Sequence, residues 1–155
     1  MVDPRFIATL GAALALIGGI LGSVFGIAKA ASAGTATLSE DPGQFRNVIV
    51  LASLPMTQTF YSLIIMILII TAVVPKLPAT GSSGLIVLGI GLIGAFAEFF
   101  SAIYQGIVCA SGISLLPKTK GQIFTSSLML AVFVELLGVL GLVFSIMAIT
   151  MLGLM

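Results

Sequence analysis

Long apolar runs separated by short polar stretches organise this chain. Four runs are long enough to span about 30 Å of hydrocarbon as helix, which takes about 20 residues each; they cover residues 6–31, 46–74, 84–111 and 122–152. The connector SAGTATLSEDPGQF holds Glu40, Asp41 and Pro42 and reads as a loop, as do KLPATGSS after Pro75 and ISLLPKTKG after Gly112. The expected fold class is therefore an all-α membrane protein with four transmembrane helices. Behind MVDPRF, the apolar stretch from Ile7 to Ala28 exceeds the roughly 7–15-residue core of a secretory signal, so it is expected to be a retained helix.

The second half repeats the first. Gly11 falls on Gly91, Gly22 on Ala102, Gly26 and Ile27 on Gly106 and Ile107, and Ala30 on Ala110. With a slightly shorter offset, Leu51 falls on Leu128, Gln58 on Glu135 and Leu63 on Leu140. The chain thus reads as a helical hairpin written twice, residues 1–79 and 80–155. Two spans per unit restore the original side, so the repeats are parallel rather than inverted. The first and third runs carry small residues about one turn apart, Gly18, Gly22, Gly26 and Ala30 in one and Gly94, Ala102, Gly106 and Ala110 in the other. Such stripes allow close approach in lipid, where association depends on van der Waals packing. Two arrangements fit this division: a ring of copies with small-residue helices on the crowded inner wall, or ordinary packing in one four-helix bundle.

Composition supports a membrane protein, with 59% hydrophobic and 7% charged residues against about 25% charged in a soluble domain. Net charge is +1 and the basic residues are scattered, which argues against nucleic acid as a partner. The one cysteine, Cys109, excludes an intrachain disulfide or a Cys-based zinc site and is read as a packing residue. Lys29, Arg46, Lys118 and Lys120 flank the first and third loops, against Arg5 and Lys76 at the other end; the positive-inside rule then puts those loops in the cytoplasm and both termini outside.

Against this background Glu135 stands out, in the middle of the fourth run. A charge at that depth costs on the order of 2.5 to 3.5 kcal/mol on insertion scales, so it marks a functional site. In the second run, Leu54, Thr57, Gln58 and Tyr61 share one helical face, while Pro55 removes a backbone donor and frees carbonyl oxygen in the preceding turn. Distances from the flanking basic residues bring Gln58, Gln105 and Glu135 to one depth. A carboxylate, two amide oxygens, the Thr57 hydroxyl and the Leu54 carbonyl suit a hard cation. With a single negative charge, a monovalent ion gives a neutral complex, whereas Mg²⁺ or Ca²⁺ would leave excess charge in a low dielectric. A proton could also neutralise Glu135, but would not need the amides and hydroxyl. Tyr61 could donate to the carboxylate and hold it. A second acid, Glu98, replaces Gly18 in the repeat and is expected to face a ring interior or an outer vestibule.

The motifs LPMTQTFY, YQGIVCASGI and FVELLGVLG, set in a duplicated hairpin, resemble the membrane rotor subunit of V-type ATPases, the proteolipid or K subunit, particularly the sodium-translocating bacterial kind. The resemblance covers the whole chain. It implies Na⁺ (alternatively H⁺) bound by the Leu54 carbonyl, Thr57, Gln58, Gln105 and Glu135, with Tyr61 hydrogen-bonded to the acid and Pro55 supporting the site. It also implies a ring of identical subunits, a stator a/I-type subunit supplying an arginine, a central-stalk d/C-type subunit, a soluble ATPase motor, and a bacterial cell membrane. The chain has no P-loop and is expected to bind no nucleotide. Met56, Leu136 and Glu98 depart from the family pattern. A small proton-coupled exporter could use both acids, but would leave Thr57, Gln58 and Gln105 at one depth unexplained.

Overall fold

The computed structural model describes residues 3–155. Four spans, Pro4–Glu40, Pro42–Lys76, Ser83–Ser114 and Phe124–Met151, are long and apolar enough to cross a membrane. Asp3 caps the first, its Oδ1 accepting from the Arg5 N–H at 2.8 Å, and Pro4 fills the first helical position, where the missing N–H is not needed.

The first connector is much shorter than its polar sequence suggests. Residues 32–40, expected in a loop, continue the first helix to Glu40. Ala, Thr and Leu in this stretch tolerate helix, and the added turns are held laterally: the Thr37 hydroxyl donates to the Ile113 carbonyl at 2.9 Å, and Gly34 lies against Val48. The helix stops at Asp41 because Pro42 disfavours helical backbone in the residue before it. Asp41 then makes the turn itself, accepting from the Gly43 N–H at 3.0 Å and the Gln44 side chain at 2.9 Å. In the third connector, helix runs to Ser114 and resumes as the single turn Leu116–Thr119; left-handed Lys120 (φ 50°) and Gly121 (φ 82°) then reverse the chain. A Cβ on Gly121 would fall 3.1 Å from Gln44 Oε1, so the first and third connectors lie side by side. At the opposite end, Arg5 Nη2 donates to the Leu77 carbonyl at 3.2 Å.

The first and third spans pack against each other along their length, and repeat-equivalent residues meet. A Cβ on Gly91 would strike the Gly11 main chain, one on Gly106 the Gly26 main chain, and one on Gly22 would sit 3.1 Å from Ala102 Cβ. Residues that the duplication made equivalent thus face each other across a pseudo-two-fold axis between parallel helices. The second and fourth spans flank this pair and expose more of their bulky side chains.

Two apolar clusters fill the interior. One gathers Ala8, Ala12, Ala15, Ile65, Ile69, Val87, Ile90 and Ile149; the other gathers Ala30, Val48, Leu51, Cys109, Ile113 and Ala131. Between them lies a layer of buried polar side chains. Replacing Gly106 by Val should therefore force the inner pair apart, at about 1–3 kcal/mol of overpacking. Gly89→Ala, which meets nothing within 4 Å in the chain, should do much less; thermal unfolding of the detergent-solubilised variants compares them.

Candidate functional site

Pro55 cannot donate a backbone hydrogen bond, and the helix tightens around it into a 3₁₀ turn at Leu54–Met56. Its ring is buried, beside Gly26 of the first span. Helix resumes at Thr57, whose N–H donates to the Leu54 carbonyl. The Thr57 hydroxyl shares its one proton between that carbonyl, at 3.1 Å, and Gln58 Oε1, at 3.2 Å.

From Gln58 the network crosses the bundle. Gln58 Nε2 donates to Gln105 Oε1 at 3.0 Å and to Ser101 Oγ at 3.1 Å. Gln105 Nε2 in turn donates to Glu135 Oε2 at 3.2 Å and to the Ala131 carbonyl at 3.4 Å. Tyr61 donates its hydroxyl to the other carboxylate oxygen, Oε1, at 2.9 Å. Both amide groups are fully buried, and each uses both N–H donors and its oxygen. Burial of such groups is tolerable only because none is orphaned.

All six residues singled out in the sequence, with Pro55 behind them, therefore come together at one level of three spans. The Leu54 carbonyl, the Thr57 hydroxyl and the two amide groups form one hydrogen-bonded chain that ends on the Glu135 carboxylate, to which Gln105 presents its N–H. Among the described residues no group of three or more His, Cys, Asp or Glu comes close enough to hold a metal ion. Glu135 itself is half-buried at the rim, between the exposed apolar side chains of Phe133 and Leu136. The acid thus reaches the surface of the bundle while Gln58 and Gln105 stay buried.

Sequence reasoning passed over Ser101. Its hydroxyl accepts from Gln58 and donates to the Val134 carbonyl at 2.9 Å, tying the third and fourth spans together one residue before the acid. Its position one turn before Gln105, on the same face, was the available signal. Glu98 also departs from expectation: it faces no vestibule and is fully buried against the fourth span, where a Cβ on Gly138 would lie 2.7 Å from its Oε2.

The profile of the ATP synthase C-subunit family matches residues 10–69 and again residues 88–148. Two similar proteins carry more specific names. The V-type sodium ATPase subunit K of Enterococcus hirae is 35% identical over 138 residues, covering 89% of this chain and 86% of that protein. The A-type ATP synthase subunit K of Methanocaldococcus jannaschii is 32% identical over 148 residues, covering 95% of this chain; the chain spans only 63% of that longer relative.

Tyr61 provides a test of the site's geometry. A hydrogen bond to a charged group contributes about 1.5–3 kcal/mol, so Tyr61→Phe should release the carboxyl group and speed carbodiimide modification of Glu135 by about tenfold or more. Labelling followed by mass spectrometry of the peptide containing Glu135 measures this; an unchanged rate would mean that Tyr61 does not hold the carboxylate.

Proposed function

This chain belongs to the ATP synthase C-subunit family, and we propose that it is the ion-carrying rotor subunit of a V-type ATPase membrane sector, with Na⁺ as cargo. The observation that carries this reading is the continuous hydrogen-bonded array from Leu54 through Thr57, Gln58 and Gln105 to Glu135. It ties a carbonyl, a hydroxyl and two amides to one half-buried carboxylate at mid-span. A proton needs only the carboxylate; the converging amides and hydroxyl favour sodium. The name of the Enterococcus hirae relative specifies a sodium ATPase.

Copies of the chain assemble as a ring, first and third spans toward the axis, second and fourth spans outward. Pro4–Glu40 and Ser83–Ser114 supply the narrow, glycine-lined wedge that close approach around an axis requires. Where Glu135 faces lipid, Na⁺ neutralises it, because an isolated carboxylate in hydrocarbon is strongly disfavoured. Uptake of the ion exchanges the Gln105–Glu135 hydrogen bond for contacts between Na⁺ and oxygen. Tyr61 meanwhile keeps the carboxylate turned inward.

At the stator a/I-type subunit, a cationic side chain, expected to be arginine, competes for Glu135 and frees the ion. Rotation of the ring carries the next loaded subunit into place. The free energy comes from ATP hydrolysis in a separate soluble motor, coupled through a central-stalk d/C-type subunit; this chain contributes the carrier and no nucleotide chemistry. The first and third connectors, adjacent in the fold, face the cytoplasm of a bacterial cell, and both termini lie outside.

Carbodiimide labelling at fixed pH tests the cargo. Millimolar Na⁺ should protect Glu135, and absence of protection would make protons the cargo. Gln105→Ala should weaken that protection at least tenfold, whereas Gln122→Ala in the third connector should leave it unchanged; equal effects would sink the proposed ion site.

A further inference from the structure

Glu98 has no place in the array around Glu135. Its side chain is fully buried between the third and fourth spans, and neither carboxyl oxygen has a hydrogen-bond partner among the described residues. The wall it faces is unusual for its lack of side chains. A Cβ on Gly138 would lie 2.7 Å from Glu98 Oε2, and one on Gly141 would lie 3.5 Å from Oε1. Two glycines, about one and two turns beyond Glu135, thus leave room for the carboxyl group.

This recess contains too little to balance a negative charge. Among the described residues no Lys or Arg donates to Glu98, and a buried carboxylate without a counter-charge is strongly disfavoured. Sodium would need several oxygen donors. Here the facing wall is glycine, with Ala97 packed against Gly141, and the nearby Ser101 hydroxyl already donates to the Val134 carbonyl. A neutral acid fits the same surroundings. Oε2 and Ser101 Oγ lie 2.7 and 3.0 Å from the same point beside Gly138. Ser101 Oγ, which accepts from Gln58, keeps a second lone pair to accept a carboxyl O–H.

We propose that Glu98 is a second cation-holding site in each subunit, selective for a proton, which it keeps through the transport cycle. Its complete enclosure separates it from Glu135, which reaches the rim and can exchange its ion. Each subunit therefore holds two membrane carboxyl groups but moves one ion per passage.

The test compares the purified wild-type protein with Glu98→Gln, whose amide mimics the shape of the neutral acid. Both should bind one Na⁺ per subunit. At saturating Na⁺ and neutral pH, the infrared spectrum of the wild type should contain the carbonyl stretch of a protonated carboxyl group, and Glu98→Gln should lack it. Carbon-13 labelling of glutamate in the wild type alone should shift that band, which covers the case of a variant that fails to fold. Two Na⁺ per wild-type subunit falling to one in the variant would overturn the proposal in favour of a second sodium site. Absence of a label-sensitive protonated band would overturn it in favour of an ionised Glu98. A wild type that binds no Na⁺ would refute sodium as cargo; Glu135 is then protonated as well, so the Glu98 site stands only if the band loses part of its intensity in Glu98→Gln and is overturned if it does not.

Discussion

A carboxylate at the middle of a membrane persists only if its charge is met by groups the bundle itself supplies. Water cannot do it, and lipid offers nothing. Around Glu135 this constraint explains why two glutamines are buried, why a proline interrupts the second span where it does, and why a tyrosine reaches across from the second span to the fourth. Each amide is tolerable at that depth because its donors and acceptor are all engaged. Apolar clusters above and below seal the layer and raise the strength of every interaction within it.

The scaffold for this layer is the contact between the first and third spans. Their glycines let main chain meet main chain, and the duplicated sequence puts equivalent positions face to face. A symmetric core then carries an asymmetric outer pair. In the second span the acid's counterpart is Gln58, which has become a donor to the site instead of a second ion carrier. Of these two equivalent positions only Glu135 carries a carboxylate; its counterpart is a neutral amide.

The two membrane glutamates show how surroundings divide identical side chains between roles. Glu135 has a donor on each oxygen and lies at the rim. Glu98 lies a short way along the bundle in a glycine-walled recess with no donor to either oxygen. Exchange needs access and alternative ligands; retention needs enclosure.

Much of this was legible in the chain. Hydropathy delimits the spans because the bilayer imposes a length on them, the repeat exposes the duplication, and helical periodicity puts Leu54, Thr57, Gln58 and Tyr61 on one face. Depth counted from the flanking basic residues brought Gln105 and Glu135 to the same level. Local signals misjudged the first connector, since residues 32–40 become helical through contacts with other spans, among them Thr37 with Ile113. The partners of Ser101 and the environment of Glu98 were out of reach, because a helix's sequence states which residues share a face but not which neighbour that face meets. The amino-acid sequence by itself determined the spans, the duplication and the chemistry gathered at one depth. Only the packing of the third span against the fourth decided that one glutamate reaches the rim and the other is enclosed, because burial and hydrogen-bond partners are properties of the assembled bundle.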